Sequence, residues 1–195
     1  MVTSLILSSI LSSSLVVPPT VHTPVPPSVV EAFDLAPFYE KCVLVGRFPV
    51  LSSGRVHDEA LLEAAYLIEA MCAHRPEMLD ALAETKTRYV IMAPSEMTTA
   101  VPEHSDLTPP GYWDKRARGL GATPHRPAVS CGEENLLCFK GDPYSTENIL
   151  IHEFAHALHE MALGALDPAF DGRVRKCYDA AIEAVSLVPA LTAVE

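Results

Sequence analysis

The chain is short of positive charge. Its 195 residues carry 14 Lys and Arg against 25 Asp and Glu, a formal net charge of −11. No Lys or Arg precedes Lys41. A surface of that sign repels phosphate backbones and anionic headgroups, which argues against nucleic acid or an acidic membrane as partner. It says little against a peptide or protein substrate. No Cys-x-x-Cys pair occurs, which removes the commonest structural zinc site. No internal repeat occurs, and no apolar run is long enough to span a bilayer. What is present is 49% hydrophobic and 20% charged residues, enough for one globular domain with a real core.

The five cysteines are an odd number. Cys131 and Cys138 bracket Gly-Glu-Glu-Asn-Leu-Leu, a loop short enough to be closed by a disulfide. Such a bridge would contribute roughly 2–3 kcal/mol by restricting the unfolded chain. The plainer alternative is two buried thiols. Cys42, Cys72 and Cys177 remain, so at least one thiol has no partner within the chain.

Residues 1–17 are apolar and Ser-rich, about as long as a signal-peptide core, and point to a secreted protein. Residues 18–28 are Pro-rich and read as an extended linker. The folded domain is expected over residues 29–195. Within it, residues 57–73 repeat apolar side chains at helical spacing, with Asp58 as cap. In this helix Tyr66 and Met71 are expected in the core. A shorter helix is expected at 76–85 and a buried strand at 88–93, RYVIMA. Residues 94–127 are loop-like and hold the single Trp; this excursion either covers a cleft or packs on its own aromatics, and the second is favoured. Residues 128–139 read as a strand pair or an edge strand with a tight loop. A last helix is expected at 173–188, with Val174, Cys177, Ala180, Ala181 and Ala184 on one packed face.

The most informative stretch is residues 149–161, ILIHEFAHALHEM. His152 and His156 are four apart, which puts both imidazoles on one helix face about one turn from each other. Glu153 follows the first. This H-E-x-x-H arrangement supplies two zinc ligands and a carboxylate able to act as general base. Asp142 and Ser145 offer N-terminal cap signals, Pro143 suits a first turn, and Gly164 is a stop signal. A histidine on an apolar helix face is often only a core residue, but the uncharged helical flanks favour the metal site here. Glu153 and His156 also form Glu-x-x-His, the unit of di-iron bundles; no second such unit exists in the chain, so that reading fails.

On these residues, His152-Glu153-Phe154-Ala155-His156 and the preceding Gly141-Asp142-Pro143-Tyr144-Ser145-Thr146-Glu147-Asn148, the chain resembles the zincin metallopeptidases. Within them it is most similar to the gluzincin group with its lethal-factor-like branch. The resemblance implies an α+β fold with the active-site helix packed on a small mixed sheet with further helices. It implies Zn2+ on His152 and His156, Glu153 as catalytic base, and an extended peptide substrate bound by strand addition along residues 128–139.

Zinc needs a third protein ligand. The metzincin extension fails, because Ala162 stands six residues after His156. His159 shares the face of the other two but lies a full turn further on. Asp167 sits in a turn similar to that of the aspzincins, with Ala, Phe and one extra residue departing from it. Glu183 is the simplest gluzincin-style choice, although the Glu-Tyr/Phe-x-Ala-Glu run of the lethal-factor-like proteins is missing. The expectation is therefore a third ligand that lies beyond Glu195, with the domain truncated before it. The alternative is a non-catalytic binding domain that keeps the scaffold.

Overall fold

The structure is a computed structural model and describes residues 19–187, with side chains to residue 184. The stretch expected to be a signal peptide, 1–17, lies outside the described residues. Its centre is a mixed five-stranded sheet in the order β1-β2-β3-β5-β4. β1 (Lys41–Val45) and β2 (Phe48–Ser52) form an antiparallel hairpin whose tight turn uses Gly46 at φ 60. β3 (Arg88–Met92) pairs parallel with both β2 and β5 (Ala128–Gly132), and β4 (Gly119–Leu120) closes the sheet antiparallel to β5. Among the described residues no helix is long and apolar enough to cross a membrane.

Strand alternation divides the core in two. Tyr89 and Ile91 point to one face, where α2 (Asp58–Cys72), α3 (Glu77–Glu84) and α6 (Ile149–Ala157) pack. Val90 and Met92 point to the other, under α1 (Pro27–Phe33) and Val101. Because both faces are covered, every residue of β3 is buried, which explains its unbroken apolar run. The expected helices at 57–73 and 76–85 are α2 and α3, one residue shorter at each end.

Several expectations need correction. The Pro-rich stretch is extended but is not a free linker. His22 exchanges backbone hydrogen bonds with Cys42 at 2.8 and 3.0 Å, and Val25 is buried, so this segment covers the outer edge of β1. Asp58 does not cap α2. His57 holds that position and donates its backbone N–H to the buried Glu133 carboxylate at 2.8 Å, while Asp58 accepts from Lys41. Tyr66 is 63% exposed on the outer face of α2. Gly164 does not stop the motif helix; it keeps right-handed helical angles, and the chain runs through a wider π turn, Leu158–Leu163, into the short α7 (Gly164–Leu166). α8 (Phe170–Leu187) forms, but Val174, Cys177, Ala180, Ala181 and Ala184 are all exposed rather than packed.

Residues 128–139 are not an edge. β5 is an interior strand, and the segment then turns into the one-turn α5 (Glu133–Leu136). That turn also undoes the expected disulfide. Cys131 faces the core from β5, Cys138 is exposed beyond α5 at φ 53, and all five cysteines are free thiols. Burial pushes Cys42 and Cys131 up to about 12 and, with a smaller push from Glu77, Cys72 up to about 11. A raised thiol pKa keeps the neutral, unreactive form at ordinary pH. At pH 8 a thiol reagent should therefore modify Cys138 and Cys177 in the native protein and the three others only after unfolding. Loss of Cys138 labelling that a reductant restores would reinstate the Cys131–Cys138 bridge.

Candidate functional site

The motif helix α6 is placed by its apolar side. Leu150, Phe154 and Ala157 are fully buried, and the Phe154 ring lies 5.6 Å from Phe48 and 6.2 Å from Tyr89 between ring centroids. Burying such a side chain contributes about 1.5–3 kcal/mol. With that side inward, the opposite side must face solvent, and it carries His152 and His156. Their rings sit 5.1 Å apart between centroids, inclined at 61°, and both are exposed.

The start of α6 is held by two asparagines rather than by Asp142 or Ser145. Asn148 is the N-cap, its side chain accepting from Ile151 N at 3.0 Å. The buried Asn135, reaching over from α5, accepts from Ile149 N at 2.8 Å. The Asn135 amide nitrogen meets Asp142 Oδ2 and the carbonyls of Tyr144 and Glu147 at 2.8–3.1 Å. Asp142 in turn accepts from Tyr144 N at 2.9 Å. One side chain thus satisfies an orphan N–H of the helix and pins the loop before it.

Glu153 leaves the helix sideways, toward the end of the sheet. β4 and Gly121 run directly over this part of α6. A Cβ on Gly119 would stand 2.4 Å from Ile149 Cγ2 and 2.8 Å from the Ser130 carbonyl, and one on Gly121 would stand 3.3 Å from His156 Cβ. Only glycine allows so close an approach. The Glu153 carboxyl is partly buried, and burial raises its pKa. His152 and His156 oppose that rise, Glu147 adds to it, and the Gly121 N–H opposes it. Glu147 Oε2 lies 3.7 Å from His152 Nδ1.

Glu153, Glu147 and His152 line one side of a cleft of about 310 Å3. The other side is Trp113 and Arg116 of α4 (Pro110–Arg116), then Ala117, Arg118 and β4, with Tyr144 closing one end. The Trp-containing excursion packs on its own aromatics, with Tyr112 and Trp113 edge to face at 5.6 Å, and it also lines the cleft. Arg118 braces that wall. Its guanidinium grips both oxygens of Glu134 at 2.6 and 2.9 Å and donates to the carbonyls of Glu96 and Ala93. Tyr144 Oη donates to the Arg116 carbonyl at 2.8 Å. None of Asn135, Arg118, Tyr144 and Glu147 could be singled out from sequence, since each acts through partners far along the chain or in irregular loops. The glycines flanking Leu120 were the one readable trace.

The two imidazoles and the neighbouring carboxylate suit two positions of a zinc site and its base. Among the described residues none of the candidates fills the third position. Asp167 is gripped by both Arg173 amino groups, which hold its pKa down. His159 is tied to Asp171 at 2.6 Å, and Glu183 lies on the exposed α8. Among the described residues no three His, Cys, Asp or Glu side chains converge on a metal position. Compared with known proteins, the chain matches no protein-family model, no curated protein and no solved structure.

Removing the Asn135 side chain orphans buried backbone groups. Asn135→Ala should cost about 2–3 kcal/mol and lower the melting temperature by roughly 5–10 °C. Gly119→Ala should cost about 1–3 kcal/mol through the collision with Ile149, and more than Gly121→Ala. Urea unfolding of the three variants tests both statements; an unchanged midpoint for Asn135→Ala would remove its capping role.

Proposed function

We propose that the chain is a zincin-like domain for zinc-dependent hydrolysis of peptide bonds, with His152 and His156 as metal ligands and Glu153 as general base. One observation carries the reading: the exposed His152, the partly buried Glu153 and an end strand of the sheet share one cleft, and the exposed His156 ring lies 5.1 Å from that of His152. Zinc, when bound there, supplies Lewis acidity toward a carbonyl oxygen and lowers the pKa of water. The chain's own residues do the rest. Glu153, its carboxylate desolvated and therefore more basic, takes a proton from the attacking water and returns it to the departing amine. β4 pairs only with β5 among the described residues, so its other edge offers backbone groups to an extended substrate. In this reading β4, not residues 128–139, binds the peptide. Residues 1–17 act as a secretion signal.

The unfilled third ligand position favours one other reading, a non-catalytic domain that keeps the scaffold and binds peptide without cleaving it. Zinc content and turnover on a mixed peptide library separate the two. The peptidase reading expects bound zinc, lost in His152→Ala and His156→Ala. It expects Glu153→Gln to keep the metal and lose about 10²–10⁴-fold in rate. Equal turnover in wild type and Glu153→Gln would end the catalytic assignment, and peptide binding with no turnover would support the non-catalytic one.

A further inference from the structure

The cleft carries an arginine that nothing in the fold uses up. Of the two arginines lining it, Arg118 is neutralised by its two-pronged contact with Glu134. Arg116 is exposed and forms no ion pair among the described residues. Its Nε donates to Tyr112 Oη at 3.1 Å, and among the described residues neither terminal amino group meets a protein acceptor. Its main chain is fixed, because its carbonyl accepts from Tyr144 Oη. The Trp113 ring stands beside it on the same wall. The carboxylates of the cleft come from other elements, Glu147 from the loop before α6 and Glu153 from α6. In a chain of net charge −11, a guanidinium that lines the cleft with its terminal donors free is matched to one chemistry. It accepts a carboxylate through paired N–H···O bonds, a geometry that lysine does not reproduce.

We propose that Arg116 is the specificity-determining residue of the cleft and selects peptides that present a carboxylate to the α4 wall. The carboxylate comes from an acidic side chain or from the peptide's own C-terminus. The repulsive acids of α6 and its preceding loop and the cation of α4 together orient such a peptide in the cleft. This inference rests on the peptide-binding part of the function proposed above, but not on turnover.

Trp113, the chain's single tryptophan, provides the readout. Its fluorescence in the full-length Glu153→Gln protein is titrated with alanine-based pentapeptides blocked at both ends and carrying a central Glu, Gln or Lys. A fourth probe is the Gln peptide with a free C-terminal carboxylate. At low salt the Glu peptide or the free acid should bind about tenfold tighter than the blocked Gln peptide, and the Lys peptide weakest. Arg116→Gln should abolish the difference, and Arg116→Lys should restore only part of it. Preference for Glu assigns the site to an acidic side chain, and preference for the free acid assigns it to a C-terminus. Equal affinities, a preference that survives in Arg116→Gln, or no binding of any probe overturns the proposal. A protein that discriminates carboxylates yet cleaves nothing keeps this inference and loses the peptidase reading. Cleavage without discrimination does the reverse.

Discussion

Phe154 is the pivot of the structure. It lies within the five-residue motif, and its burial between Phe48 and Tyr89 leaves the helix one orientation. Rolling α6 by a third of a turn to hide the histidines would expose that ring and break the contacts of Leu150 with the sheet. The solvent-facing imidazoles are therefore a consequence of hydrophobic packing on the reverse side. The same orientation sends Glu153 sideways under β4, where partial burial raises its proton affinity. Packing, exposure and basicity come from one constraint.

A second layer of the design is polar. Two elements too short to be stable alone lie near the motif helix, β4 on the cleft wall and α5 behind the loop before α6, and a polar side chain helps to hold each. Asn135 ties α5 to the loop and start of α6; Arg118 ties β4 to α5 and to the turn after β3. Each of these contacts contributes modestly when made and costs more when half broken. The wall of the cleft is therefore specified by hydrogen-bond geometry, while its floor is specified by apolar burial.

That division explains how much of the molecule could be read from its sequence. β3, α2, α3 and the motif helix have local signatures, because each buries a face whose periodicity is written in its own residues. The mixed α+β character followed from them. β4 has two residues, and its identity as a strand is created by Cys131 and Ser130 across the sheet and by glycines that permit contact with α6. Such a strand reads as a loop. The same holds for the interior position of β5 and for the exposed face of α8, where local apolar pattern and tertiary environment disagree. At the site, the motif pointed to His152, Glu153 and His156, whereas the asparagine cap and the arginine brace depended on distant partners.

The docked proline segment has one more effect. Strand sheets can grow from both ends, and an uncovered margin recruits other chains. Here the β1 margin is occupied by His22 and its proline-laden neighbours, which have few N–H groups to offer a newcomer. Among the described residues the two margins differ: β1 carries the His22 bridge, whereas β4 pairs with β5 alone. Under the proposed peptide-binding reading, recognition and self-association would compete for the β4 rim, and a peptide in the cleft would shield the protein from its own copies.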